Sequence, residues 1–473
     1  MEIRKFLFSL SVIVQACKSD ESGDQFSLLV ENSYSEYKVL RVNISSWTDE
    51  VINEARRLEE ADAMSILLLS PTRGVMDLMV SPQNLNIVMM MLDESKATFT
   101  IQTGDLGEML KQQAEVRQTR LQTSDIETEA VSFHDSYHSY DDIVKRLETL
   151  EASHSDMAEV ITLPAKKTYE GRDIKAMRIT TDIKKNGLID SKPVLWVDGG
   201  IHAREWIAPA TMMYFIDVFL GEEEPERAGK VKEILEQHQI VIAPVINPDG
   251  YIYSCDGDSE RAAKAGSSCD RMWRKTRKPS GCFDNKRMWY GGCLFQGCFG
   301  ADPNRNWDAS FDTKVGVSDN PCSDLYPGEK PFDQLCVDSV KTFLEDLKDK
   351  LVMYATYHSY TQLILLPWAY SEETPPHNEH HVRVGNLTAT AIREVHGEDY
   401  EVVQVSEMFG KVSGSSVDWV YDTLNVVDAY GFELRPDINS NYGFLLPEVE
   451  IRPTGEENIA GLLVMMDNLY KDE

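Results

Sequence analysis

Apolar and polar positions along this chain follow two periods in turn. Short runs that are apolar or alternate with polar residues, at 174–180, 240–245, 352–357, 401–405 and 426–434 and in the stretch opening at Val194, predict strands. Spacings of three and four between them predict helices over 139–152, 208–220, 332–347 and 382–395. Strands and helices alternating in this way specify an α/β fold, a doubly wound sheet covered on both faces. The last predicted helix is framed by Thr454-Gly455-Glu456-Glu457, which has the spacing of a capping box, and Ile459, Leu462, Leu463 and Met466 share one of its faces.

A smaller β/α pattern precedes this one. It has a strand over 37–42, a helix over 48–60, an apolar run at 65–69, a second helix over 85–92 and a closing segment at 97–103. A charged, helix-like stretch at 106–120 leads into polar 122–129, which has neither Gly nor Pro and predicts an exposed linker. Near the start, Arg4 and Lys5 precede the apolar run 6–14 and then Gln15-Ala16-Cys17, the make-up of a secretory signal peptide. That run is too short to span a bilayer, and no later segment approaches the roughly 20 apolar residues a membrane helix needs. Three parts are expected: a signal peptide over 1–17, a small α/β unit with its connecting segment over 18–120, and a large α/β domain over 121–473.

The length of 473 residues is enough to bury a sizeable core. Lys and Arg total 47 against 78 Asp and Glu, a formal net charge of −31, which argues against nucleic acid or an anionic membrane as partner. Secretion places the chain in oxidising surroundings, where cysteines pair. With Cys17 at the predicted cleavage region, Cys255, Cys269, Cys282, Cys293, Cys298, Cys322 and Cys336 remain, an odd set that leaves at least one thiol unpaired. Asn43-Ile44-Ser45 and Asn386-Leu387-Thr388 are glycosylation sequons.

Candidate chemistry begins where the run from Val194 breaks at Gly199-Gly200 and delivers His202 and Glu205, three residues apart. A helix starting near His202 would set both on one face. Imidazole and carboxylate suit zinc, and a catalytic zinc commonly takes three protein ligands and leaves one position to water. About one His-x-x-Glu spacing arises by chance in a chain of this composition, so the strand and the glycine break carry the reading. Ligands of open α/β sheets bind outside the carboxyl ends of strands, and two more polar sets fall there. Thr356-Tyr357-His358-Ser359-Tyr360 offers a third ligand in His358, and Phe432-Glu433-Leu434-Arg435 puts a carboxylate into an apolar strand. A buried carboxylate is costly unless paired or functional, and Glu433 is read as a general base. A competing cluster, His377-Asn378-Glu379-His380-His381, follows Pro375-Pro376 and is expected to be a solvated helix start.

Further blocks join these in order: Asn247-Pro248-Asp249-Gly250, Trp273-Arg274-Lys275-Thr276-Arg277, Asn304-Arg305-Asn306-Trp307, Ser413-Gly414 and Asp418-Trp419. Together with Gly199 through Trp206, His358-Ser359-Tyr360 and Phe432 through Arg435, they make the chain resemble the zinc carboxypeptidases of the digestive A/B type, from about Tyr34 to the C-terminus. The resemblance implies a mixed eight-stranded sheet flanked by helices, preceded by a small α/β pro-domain that covers the active-site cleft. A trypsin-like protease would release that pro-domain by cutting near Arg117 or Arg120. It implies one Zn2+ per chain on His202, Glu205 and His358, with Glu433 as general base and Arg274 stabilising the oxyanion. Arg305 with Asn304 would grip the free C-terminal carboxylate of a peptide substrate, Arg204 and Tyr360 would bind it further out, and Asp302 would orient a zinc-bound histidine.

Val417 matches the position that reads the last side chain, and Leu365, Ala369 and Val412 at other matched pocket positions are also uncharged. This implies release of Phe, Tyr or Leu in preference to Arg or Lys, and argues against a regulatory enzyme that trims basic residues. Asp418 belongs to an Asp-Trp pair found across the family whatever its specificity. The family disulfide matches Cys298 and Cys322; two insertions beside Arg274 suggest local pairs, Cys255 with Cys269 and Cys282 with Cys293, leaving Cys336 over. Gly410 stands three residues before Ser413, where the family has a mobile tyrosine that caps substrate. Loss of that hydroxyl motivates the alternative of a weakly active or inactive peptide-binding relative, while Glu433 favours the enzyme because a binder needs no general base.

Overall fold

The computed structural model describes residues 34–61, 63–124, 132–164, 167–181, 183, 191–257, 269–280 and 298–471. The predicted signal peptide, the Cys282 and Cys293 pair and most of the predicted linker lie outside them. Two sheets organise the chain. The N-terminal unit is a four-stranded antiparallel sheet of β1 (Lys38–Asn43), β2 (Ser65–Ser70), β3 (Val75–Val80) and β4 (Thr98–Thr103), in the order β2-β3-β1-β4. Side chains alternate across it. Leu40, Val42, Met76, Leu78 and Val80 face the helices Asp49–Glu60 and Leu85–Glu94. Leu68 and Met79 instead join Leu106 and Leu110 in the apolar cluster of the large body.

The large sheet comprises β5 (Ala158–Thr162), β6 (Lys175–Ile179), β7 (Val194–Gly199), β8 (Gln239–Ala243), β11 (Leu351–Thr361), β12 (Leu363–Leu366), β13 (Glu401–Gln404) and β14 (Asp428–Asp437). The short pair β9 (Pro279–Ser280) and β10 (Cys298–Phe299) lies apart from it. The order β13-β12-β14-β11-β7-β8-β6-β5 has parallel central pairs and antiparallel joints at β12–β14, β8–β6 and β6–β5, so the sheet is mixed and eight-stranded as expected. Every residue of β7 is buried, as a parallel strand covered on both faces must be. Leu195 and Val197 pack toward the helices Ile207–Leu220 and Ile451–Asp467, while Trp196 points to the opposite side, where Leu335–Asp346 and Ser416–Thr423 lie.

Several expectations are corrected. The strands β3, β5 and β12 and the helix Ala228–Gln237 were not read from the sequence, because short elements carry too few residues to establish a period. Thr454 is no cap: the final helix begins at Ile451, and the Thr454 hydroxyl bonds back to Glu450 O at 2.6 Å inside it. The linker expected from 122 begins within the helix Leu106–Ser124. Cys255 is bonded to Cys269 and Cys298 to Cys322, and Cys336 is buried as a free thiol. No helix among the described residues is long and apolar enough to cross a membrane.

Candidate functional site

Three neighbouring parallel strands bring the polar sets together at their carboxyl ends. β11 lies between β7 and β14, with Tyr357 opposite Gly199 and His358 opposite Glu433. Gly199 and Gly200 make the turn that follows β7. A Cβ on Gly199 would lie 2.9 Å from Met212 Cγ, and Gly200 has φ +65. His202 and Glu205 sit in that turn, not in a helix, which starts only at Ile207. The turn serves the purpose the helix was expected to serve. His202 Nδ1 lies 2.8 Å from Glu205 Oε1, and His358 Nδ1 lies 3.2 Å from Glu205 Oε2.

The arrangement fits a metal ion. Ligand atoms of His202, Glu205 and His358 lie within 4.8 Å of one another, and all three residues are buried. The two Nδ1 atoms face each other at 3.1 Å, and Glu205 Oε2 is buried with no hydrogen-bond partner. Two imidazole nitrogens and a carboxylate oxygen converging in this way make a donor set for a cation, and such nitrogen and oxygen ligands suit zinc. Burial pushes the Glu205 carboxyl up, but the two histidines more than offset this and hold it below the ordinary range. Burial lowers His358, which favours the neutral imidazole that ligates metals. Asp302 Oδ1 lies 3.1 Å from His202 Nε2, the orienting contact expected of it.

Asp302 also organises the cations. Arg274 donates to its Oδ2 from Nη2 at 2.8 Å and from Nε at 3.1 Å, while Arg274 Nη1 lies 3.8 Å from Glu205 Oε1. Arg305 donates to Asn304 O at 2.8 Å, and its buried Nε has no partner. The Asn304 amide reaches His358 Nε2 at 3.4 Å. Glu433 lies among these groups on the cavity wall. Burial first, then the charge of Glu205, holds it well above the ordinary carboxyl range against the pull of Arg274 and Arg305.

The same cavity is also lined by uncharged Leu365, Val405, Val412, Val417 and Gly431, and a Cβ on Gly431 would meet Leu365 at 3.3 Å and Val417 at 3.7 Å. Asp418 is fully buried and turned away, accepting the amides of Ala369 at 2.9 Å and Tyr370 at 3.1 Å; burial pushes its carboxyl up to about 7. Arg204 lies at the outer end. It pairs with Asp324 at 2.9 Å and its guanidinium sits 4.4 Å from the centre of the Phe444 ring. Tyr360 is committed elsewhere: its hydroxyl donates to Asp77 of β3 at 2.7 Å, and Asp77 is also gripped by both ends of the Arg41 guanidinium.

Asp77, Asp324 and Phe444 were missed in the sequence. Asp77 carried a signal, a lone carboxylate in the apolar run Val75 to Val80, of the same kind that singled out Glu433. The rival histidine cluster is neither metal site nor solvated. His377 Nδ1 bonds the Tyr421 hydroxyl at 2.8 Å, His380 pairs with Asp428 at 2.7 Å and His381 Nε2 meets Val427 O at 2.7 Å.

Comparison with known proteins agrees with this geometry. The profile of a family described as zinc carboxypeptidase matches residues 143–461. Carboxypeptidase B of Astacus astacus is 36% identical over 337 residues, 71% of this chain and 98% of that protein. Carboxypeptidase A1 of Mus musculus is 29% identical over 473 residues, 99% of each chain. Among solved structures, thrombin activatable fibrinolysis inhibitor superposes with a TM-score of 0.71 at 26% identity, covering 91% of this chain and 98% of that one.

Proposed function

Because this chain belongs to the zinc carboxypeptidase family, we propose that it is a secreted zinc enzyme, made as a zymogen, that releases apolar or aromatic residues from peptide C-termini. The observation that carries this reading is the convergence of His202, Glu205 and His358 in a cavity that Glu433, Arg274 and Arg305 also line together with Leu365, Val412 and Val417. His202, Glu205 and His358 would hold zinc, which when bound would supply Lewis acidity toward a carbonyl and a water molecule. Glu433, with its raised proton affinity, takes a proton from the attacking water and delivers it to the leaving amine. Arg274, fixed by Asp302, stabilises the charge that develops on the carbonyl oxygen.

Arg305 with Asn304 would hold the substrate's terminal carboxylate, since a guanidinium presents a fork that matches it. Val417, Val412 and Leu365 would receive the last side chain, and no acid faces it that would favour Arg or Lys. Arg204 would bind the substrate further out, as would Tyr360 once Asp77 leaves it. We read residues 18–120 as the pro-domain and 121–473 as the catalytic domain. Contacts around the cavity support latency: Ser70 donates to Met408 O at 2.7 Å, Ser318 donates to Glu60 at 2.6 Å, and Tyr34 bonds Asp270. An activating trypsin-like protease would cut near Arg117 or Arg120, in the helix Leu106–Ser124.

Hydrolysis of paired blocked dipeptides ending in Phe or Arg, before and after trypsin and with or without a chelator, tests all of this. Chelator-sensitive release of Phe only after trypsin is expected. Release of Arg in preference would sink the pocket reading, and equal rates before and after cutting would sink latency. Release from neither substrate by cut, zinc-loaded protein would move the assignment to the peptide-binding alternative, which Gly410 motivates.

A further inference from the structure

Arg271 is buried, and among the described residues no carboxylate pairs with it. Its charge is met by other means. Nη1 donates to Arg204 O at 2.7 Å, Nη2 donates to Phe444 O at 2.7 Å, and the guanidinium lies 3.6 Å from the centre of the Trp206 ring. Two carbonyl dipoles and a π face thus stand in for an anion. Burial still pulls its pKa down to about 10, which leaves it charged at neutral pH. A cation is costly to bury without a counter-ion, so its place needs a reason. The two carbonyls supply one. They belong to the turn after β7 and to the loop after β14, and the side chains of the same two residues meet on the cavity wall, with the Arg204 guanidinium 4.4 Å from the centre of the Phe444 ring. The segment that carries Arg271 is bound in as well: Met272 O accepts Arg204 Nη1 at 3.2 Å, and Arg274 O accepts Ala203 N–H at 3.1 Å.

We propose that Arg271 is a positioning residue that fastens the loop of Phe444 to the turn of Arg204, so that these two side chains stand as one outer site for an upstream residue of the peptide. The proposal rests on the exopeptidase reading above. Arg204 Nε is buried without a hydrogen-bond partner, a donor that a peptide carbonyl would satisfy. Arg204, Trp206 and Phe444 all belong to the large body, so the clamp stays in place when the N-terminal unit is removed. A guanidinium suits the task because its planar fork reaches two carbonyls at a fixed angle, whereas an ammonium is a point charge on a flexible stem. Acting through Arg204 and Phe444, Arg271 affects the binding of peptides long enough to reach them, and its loss falls on KM.

The test uses the cut, zinc-loaded protein as wild type and as Arg271→Lys, each with and without Arg204→Ala plus Phe444→Ala. Its substrates are a blocked dipeptide and a blocked pentapeptide, both ending in Phe. Arg271→Lys is expected to raise KM about tenfold for the pentapeptide and less than about threefold for the dipeptide, with kcat moved less than about threefold for both. In the Arg204→Ala, Phe444→Ala background the same substitution is expected to move KM for either peptide less than about twofold, because the side chains it positions are gone. Equal rises for the two peptides would mark a residue of general stability, and a full tenfold rise in that background would mark a direct ligand of the peptide; either overturns the proposal, as does a pentapeptide rise below about threefold. Should Arg271→Lys not fold, Arg271→Gln, which keeps an amide donor without the buried charge, decides by the same comparisons. If wild type hydrolyses neither peptide, the exopeptidase reading fails, while the Kd of the two peptides by calorimetry decides the role of Arg271 by the same ratio.

Discussion

A carboxyl group set beside Glu205 in the middle of a buried sheet resists ionising, and Arg274 and Arg305 only partly relieve it. Glu433 therefore holds a proton more readily than an ordinary glutamate, as a group that takes and returns protons near neutral pH must. Glu433→Gln keeps the shape and removes the proton chemistry. Its kcat is expected to fall by about 10³-fold with zinc content unchanged by metal analysis; a kcat near wild type would assign the proton transfer elsewhere. Arg305 is read on a different axis. Arg305→Ala is expected to lower kcat/KM about 100-fold, chiefly through KM, and to erase the preference for a free over an amidated C-terminus. Retained discrimination against the amide would place carboxylate recognition on another residue. Glu433 stands out in sequence as a carboxylate within an apolar strand, whereas Arg305 is found only through the family resemblance. Asp324 and Phe444 carry no such signal, since their roles come only from lying against Arg204 across the fold.

The helix Asn378–His396 shows how an element changes the meaning of its residues. Three histidines at metal-like spacing become anchors because each finds a separate partner, Tyr421 on the helix Ser416–Thr423, Asp428 on β14 and Val427 just before it. His381 is fully buried against Val427 O, and burial moves its pKa from the ordinary 6.5 down to about 4. The unfolded chain takes up this proton near pH 6.5, the folded one only near pH 4. Its contribution to stability is therefore full above pH 6.5, is lost as pH falls from there to about 4, and is constant below. The loss is on the order of 3 kcal/mol. Urea unfolding at pH 7 and pH 4.5 is expected to show a smaller stability difference for His381→Gln than for wild type; an equal difference would clear His381 of that role. The turn after β7 is the reverse case, where His202 and Glu205 come together as expected although the helix expected to carry them starts later.

At the scale of the whole molecule, the N-terminal unit is joined to the large body by shared apolar packing and by polar contacts around the cavity. Asp77→Asn keeps an acceptor for Tyr360 but loses the charge that Arg41 grips, so the uncut variant is expected to hydrolyse a Phe-ending dipeptide several-fold faster than uncut wild type. Equal residual rates would show that the latch lies in other contacts. Zinc on His202, Glu205 and His358 would tie the turn after β7 to β11, and removing the metal is expected to lower Tm by several degrees, restored by added zinc; an unchanged Tm would place the ion elsewhere. The sequence by itself determined the α/β class and the small unit ahead of a large one, and singled out His202, Glu205, His358 and Glu433, which the fold brings to one cavity. These follow from local period and from residue types that are costly to bury without a purpose. Only the tertiary structure decided β3, β5 and β12, the cavity wall, the pairing of Tyr360 with Asp77 and the seat of Phe409 beside Gly410. Each of these joins residues from distant parts of the chain, and no local pattern of apolar and polar positions records which distant segment a side chain will meet.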